Sequence, residues 1–247
     1  MKAVLSSFAG GRLFGEAYGN APARVVALHG WARTNADFAD VLKGYDAVAV
    51  DLPGFGATPA PPDAWGSAEY AALVAELLRE YSAPPVLLGH SFGGRIGIHV
   101  AATNPDLIRG LVLTGAPLIR TTVSSIRPKA GYRLARWLNK RGVMSDQRME
   151  KARKKYGSSD YANASPAMRA VHVKLVSESY DDEIGAARGP IELVWGDDDT
   201  AAPIAGAREL ASRLGDRAHL TVLAGAGHLT PLTAPTELRA AIDRMLT

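Results

Sequence analysis

The 247-residue chain contains no cysteine. Disulfides, thiolate metal sites and a cysteine nucleophile are therefore excluded, and the composition fits a reducing compartment. Long apolar runs are also missing: no stretch approaches the ~18 residues a membrane helix requires. Met1-Lys2-Ala3-Val4-Leu5-Ser6-Ser7-Phe8 has too little apolar length for a signal peptide, so the expected location is cytoplasmic, with no membrane partner. Neither a G-x-x-x-x-G-K-[ST] phosphate loop nor a G-x-G-x-x-G after a strand occurs, and no cofactor is expected. Asp197-Asp198-Asp199 lacks the alternating acids, the glycine and the distant glutamate of a calcium loop. Lys151-Ala152-Arg153-Lys154-Lys155 is basic, but no stacking aromatics accompany it, which argues against nucleic acid.

What is present suits a single large α/β unit. Hydrophobic residues make up 47% of the chain and charged residues 21%, enough for a core and too few charges for disorder. Short apolar runs at Val25–Leu28, Ala47–Val50, Val86–Leu88, Leu111–Leu113, Ile191–Trp195 and Leu220–Leu223 read as buried strands. Helical spacing separates them, as in Ala68–Tyr81 and Pro235–Leu246. Alternation of this kind predicts a mostly parallel sheet covered on both faces. Val4–Phe8 and Arg12–Tyr18, joined through Gly10-Gly11, predict an N-terminal β-hairpin at its edge.

Net charge is +3 but unevenly placed. Residues 116–185 hold 14 Lys+Arg against 7 Asp+Glu, and the remainder holds 14 against 18. The shift marks residues 116–185 as an inserted helical lid, with helices near Tyr132–Asn139 and Gln147–Lys155, and residues 1–115 and 186–247 as the core domain. Solubilised surface helices explain the excess charge most simply; the functional alternative is docking of an acidic carrier protein or an anionic substrate. Ile119, Ile126, Trp137, Leu138 and Met144 could line an apolar pocket or form the lid's own core.

Gly89-His90-Ser91-Phe92-Gly93 follows the strand at Val86–Leu88 and precedes a helical stretch. A serine on so tight a turn needs glycines around it, because side chains there would clash. The turn raises the hydroxyl into a cleft and aims the N–H of Phe92 at the same point. A serine hydroxyl attacks only when a base takes its proton and a third group holds that base. Among the six histidines, His228 follows a strand and a glycine-rich turn. His99 and His172 read as helix and lid residues, His219 as a surface residue at the far end of its strand, and His90 as turned away from the serine's task. The carboxylate would come from the Asp197–Asp199 turn.

The motif set resembles the α/β-hydrolase family. Leu28-His29-Gly30-Trp31 is similar to its oxyanion turn, Asp51-Leu52-Pro53-Gly54-Phe55-Gly56 to its D-x-P-G-x-G loop, and Gly89–Gly93 to its nucleophile elbow. Gly196-Asp197-Asp198-Asp199 with Pro203 is similar to its acid loop, and Gly227-His228 to its terminal histidine. The resemblance implies a Ser91–His228–Asp199 triad, an oxyanion hole from the backbone N–H groups of Trp31 and Phe92, and hydrolysis of a small carboxylic ester without metal or cofactor. Two of these turns are also similar to those of pimeloyl-acyl carrier protein methyl ester esterases, although His90 stands where those have Trp. Thioester cleavage, carbon–carbon bond hydrolysis and perhydrolysis use the same parts, and a non-catalytic ligand receptor could share the fold.

Overall fold

The computed structural model describes residues 4–120, 130–156, 161 and 164–247. Its apolar runs form one eight-stranded sheet in the order β1-β2-β4-β3-β5-β6-β7-β8. The strands are β1 (Val4–Phe8), β2 (Leu13–Tyr18), β3 (Val25–Leu28), β4 (Ala47–Asp51), β5 (Val86–His90), β6 (Gly110–Thr114), β7 (Ile191–Gly196) and β8 (Ala218–Leu223). The hairpin β1–β2 is antiparallel, and β2 pairs antiparallel with β4. All later pairings are parallel. Every residue of β3, β4, β5 and β6 is buried, as continuous apolar strands between two helical layers must be.

The helices described are α1 (Ala39–Leu42), α2 (Ser67–Leu78), α3 (Phe92–Thr103), α4 (Ala130–Lys140), α5 (Asp146–Tyr156), α6 (Pro166–Ser177), α7 (Asp181–Ala186), α8 (Ile204–Leu214), α9 (Thr230–Thr233) and α10 (Pro235–Leu246). Leu73 and Leu77 of α2, Ile96 and Val100 of α3 and Leu210 of α8 pack in the core on one face of the sheet. Val41 of α1 and Leu238 and Ile242 of α10 pack on the other. None of the helices among the described residues is long and apolar enough to cross a membrane.

Among the described residues, helices α4 to α7 stand between β6 and β7. They behave differently. Leu134 and Trp137 of α4 are exposed, and Arg141 lies over the Trp137 ring. Met168, Val171 and Leu175 of α6 and Ile184 of α7, by contrast, join the core cluster that includes the sheet. Helix α6 went unread in the sequence although its start is marked: Ser165 caps it through the Met168 N–H, and Pro166 takes the first helical position.

The strand order reverses around β3, which has β4 on one side and β5 on the other. Open α/β sheets hold their ligands in the crevice beyond the carboxyl ends of strands at such a reversal. Gly30 and Trp31 follow β3, and Ser91 follows β5. The topology alone therefore brings the glycine turn and the serine turn to the same rim.

Candidate active site

Ser91 has φ of 50° and ψ of −106°, a backbone conformation that costs a non-glycine residue on the order of 1–3 kcal/mol. Hydrogen bonds from both sides hold it there. Its N–H donates to the Thr114 carbonyl at the end of β6 at 2.9 Å, and its carbonyl accepts from Gly94 and Arg95 in the first turn of α3. The Gly93 N–H donates to the His29 carbonyl at 3.0 Å, which ties the elbow to the turn after β3. The flanking glycines are required by close approach: a Cβ on Gly89 would sit 2.7 Å from the Gly93 carbonyl oxygen, and one on Gly93 would strike the Leu28 backbone.

The Ser91 hydroxyl lies 3.1 Å from His228 Nε2, and His228 Nδ1 lies 2.8 Å from Asp199 Oδ2. Asp199 is buried, and its other oxygen accepts the N–H groups of Ala201 and Ala202 at 2.9 and 2.8 Å. Asp197 and Asp198 are exposed; Asp197 caps the neighbouring turn through the Gly225 N–H. Of the three consecutive acids, the structure thus turns Asp199 alone toward the imidazole. Gly115, at φ of 57°, backs the pair: a Cβ there would lie 3.0 Å from the His228 ring. The Thr114 and Thr230 hydroxyls meet at 2.5 Å and join the end of β6 to the start of α9, two residues past His228.

These groups open onto a cavity of about 310 Å3. Trp31 and Phe92 line it together with Ser91 and His228. Trp31 makes edge contacts with Phe55, Phe92 and His172, at centroid distances of 5.0, 5.7 and 5.1 Å. The aromatic contacts run on through Tyr70, whose hydroxyl donates to the Pro53 carbonyl. His172, Leu175 and Val176 of α6 complete the opposite wall.

Two polar residues of the turns are structural rather than exposed to the cavity. His29 is fully buried; its Nδ1–H donates to the Gly30 carbonyl and its Nε2 accepts the Leu52 N–H, which fixes the neutral tautomer. Burial lowers its pKa below the usual histidine range. Asp51 accepts from the Asn35 backbone and side chain and from the Ala57 N–H, and so organises the loop after β4.

The structure adds to three sequence readings. His90, read as turned away from the serine's task, donates its Nε2–H to the His228 carbonyl at 2.9 Å, and the two rings lie 5.0 Å apart. Burial, with His228 beside it, lowers its pKa to about 4. His172 and Arg95 line the cavity and were missed as site residues. Arg95 stands four residues after Ser91 on the same face of α3, a spacing the sequence displays. Of the apolar residues read as pocket lining or lid core, Ile119 packs on the main core, Leu138 and Met144 are half-buried, Trp137 is exposed, and Ile126 lies outside the described residues. None of them lines the cavity among the described residues.

Among the described residues, no group of three or more His, Cys, Asp or Glu is placed to hold a metal ion. The chain is 35% identical over 121 residues to lipase LipV of Mycobacterium tuberculosis, covering 46% of this chain and 44% of that protein. It is 40% identical over 106 residues to the pimeloyl-[acyl-carrier protein] methyl ester esterase of Chromobacterium violaceum, covering 41% of this chain and 39% of that one. The matched stretches thus span less than half of each relative's length. E-2-(acetamidomethylene)succinate hydrolase shares the fold, with a TM-score of 0.74 at 20% identity over 99% of both chains. The family model for the alpha/beta hydrolase family matches residues 25–241, so this chain belongs to the alpha/beta hydrolase family.

Proposed function

We propose that the protein is a serine hydrolase that cleaves carboxylic esters through an acyl-enzyme intermediate. The observation that carries this reading is the unbroken line from the Ser91 hydroxyl through His228 to Asp199, at 3.1 and 2.8 Å. Ser91 Oγ attacks the ester carbonyl carbon while His228 Nε2 takes its proton. Asp199 holds the Nδ1–H tautomer and stabilises the imidazolium. The carbon–oxygen bond to the alcohol then breaks, and His228 returns the proton to the departing oxygen. Water repeats the sequence on the acyl-Ser91 ester and releases the acid. The Trp31 and Phe92 N–H groups receive the oxyanion, each worth on the order of 3 kcal/mol in the transition state.

Residues 116–185 act in this reading as a lid on a core formed by 1–115 and 186–247. The contribution of His172, Leu175 and Val176 to the cavity wall supports it. The lack of cysteine supports a cytoplasmic location. A carrier-bound ester as substrate has the excess of basic residues in 116–185 in its favour. That version predicts a KM for the carrier-bound ester that rises steeply with salt.

The test is a fluorophosphonate probe combined with a p-nitrophenyl acyl chain-length series. The wild type is expected to be labelled and to turn over esters. Ser91→Ala is expected to be unlabelled and about 10⁴-fold slower, with its melting temperature retained. A ligand receptor without a competent nucleophile would leave both proteins unlabelled.

A further inference from the structure

The described residues that line the cavity include two arginines, and neither an aspartate nor a glutamate. The two arginines differ in how they are satisfied. Arg33 is held bidentately by Asp37, with Nε–Oδ2 at 2.7 Å and Nη2–Oδ1 at 2.6 Å, so its charge is matched within the protein. Arg95 has no carboxylate partner among the described residues. Its Nη1 donates to the Leu175 carbonyl at 3.1 Å, and its guanidinium lies 5.9 Å from the centre of the Tyr180 ring. The nearby acid Glu178 is occupied elsewhere, by the N–H and hydroxyl of Ser67 and the Tyr180 hydroxyl.

A half-buried guanidinium loses part of its hydration, and one bond to a carbonyl does not replace a counter-ion. A carboxylate on the ligand would, through short paired N–H···O bonds. Arg95 sits one helical turn beyond Ser91, about 6 Å further along the axis of α3. We infer that Arg95 is a specificity residue that receives a carboxylate on the substrate, and that the preferred substrates are short esters with a free acid a few bonds from the scissile carbonyl. This rests on the serine-hydrolase reading and narrows it to a substrate class.

Monomethyl succinate, glutarate and adipate, each set against the methyl alkanoate of equal chain length, test this in the wild type, Arg95→Gln and Arg95→Lys. The readout is the ratio of kcat/KM for acid to neutral ester. The wild type is expected to favour at least one half-ester by tenfold or more at low ionic strength, chiefly in KM. Arg95→Gln is expected to lose that ratio and Arg95→Lys to keep part of it. A structural role for Arg95, through the Leu175 carbonyl, would slow both esters alike and leave the ratio intact, which overturns the inference. Equal rates for acid and neutral esters in the wild type overturn it too, while leaving the serine-hydrolase reading standing. No turnover of either kind and no fluorophosphonate labelling would overturn both. Ser91→Ala gives an independent arm: quenching of tryptophan fluorescence by glutarate, reporting through Trp31, is expected in that variant and lost when Arg95→Gln is added. Equal quenching in both proteins counts against the assignment.

Discussion

Two histidine–carboxylate pairs bridge the same two strands at opposite ends. Beyond the carboxyl ends of β7 and β8, His228 Nδ1 lies 2.8 Å from Asp199. Lower on those strands, His219 Nδ1 lies 2.9 Å from Glu192, its register partner. The bonds are nearly the same, and both carboxylates are buried. The remaining atoms differ. Asp199 is satisfied by two backbone N–H groups, and the far nitrogen of His228 faces a hydroxyl on a strained turn. Glu192 is gripped bidentately by Arg244 at 2.9 and 2.6 Å, and the His219 side chain is 60% exposed. A carboxylate that orients a histidine is therefore half of a device. What the other ring nitrogen meets decides whether the pair can move a proton or only join two strands.

The sharpest way to break this comparison is to truncate both histidines. His228→Ala is expected to lower kcat/KM on esters by about 10⁴ or more, and His219→Ala to stay within about twofold of wild type. Comparable losses in the two variants would show that the division between the ends is wrong. Asp199→Asn sharpens the point. Asparagine keeps one oxygen for the Ala201 and Ala202 N–H groups but turns an NH2 toward His228, where a donor meets a donor. The imidazole must then change tautomer, and a loss of roughly 10³–10⁴ in kcat with little change in melting is expected.

The difference between the two histidines is legible in the sequence. His228 follows its strand and a glycine turn, while His219 opens that strand. The fold was legible for the same reason: buried parallel strands are uniform apolar runs, and the glycines of the elbow announce a turn in which side chains do not fit. Less legible was everything that depends on three-dimensional approach. Nothing local in Asp197-Asp198-Asp199 distinguishes its members; only the family pattern chose Asp199, and the loop's wrapping against Ala226 gives the physical reason. Nor does the sequence display that His90, an elbow residue turned away from its neighbour serine, meets a loop 138 residues distant. The cavity wall from α6 is signalled in the sequence by the Ser165 cap and by Pro166 at the first helical position.

His90 offers a prediction of intermediate size. Burial first, and His228 second, depress its folded pKa to about 4, against the pull of Asp37 and Asp199 in the other direction. A depressed histidine binds its proton more readily when the chain is unfolded. Stability therefore rises with pH between the folded pKa and the unfolded value near 6.5, and is lost as pH falls through that window. The expected loss from this residue between pH 7 and 4 is on the order of 3 kcal/mol. His29, also buried and neutral, adds to the same slope. Urea midpoints at pH 7 and 4.5 should show a shallower slope in His90→Gln, by one proton's share; an unchanged slope would place His90's proton elsewhere.

At the other end, the sign reverses. Burial alone would raise the Glu192 pKa, but hydrogen bonds from Arg244 and His219 outweigh it and hold the carboxyl below the usual range. A carboxylate with a depressed folded pKa adds stability that is present above its unfolded pKa near 4.5 and is lost as pH falls through the folded value. The partners are substantially exposed, at 43% for Arg244 and 60% for His219, so solvent screens the pair. Glu192→Gln is accordingly expected to cost only about 1 kcal/mol at pH 7, with ester turnover retained. Because glutamine carries no charge to lose, the variant and the wild type should converge in stability as the wild-type carboxylate protonates. A gap that widens toward acid pH would mean that Glu192 is held protonated in the fold, and that the two pairs at the ends of β7 and β8 are less alike than their bond lengths imply.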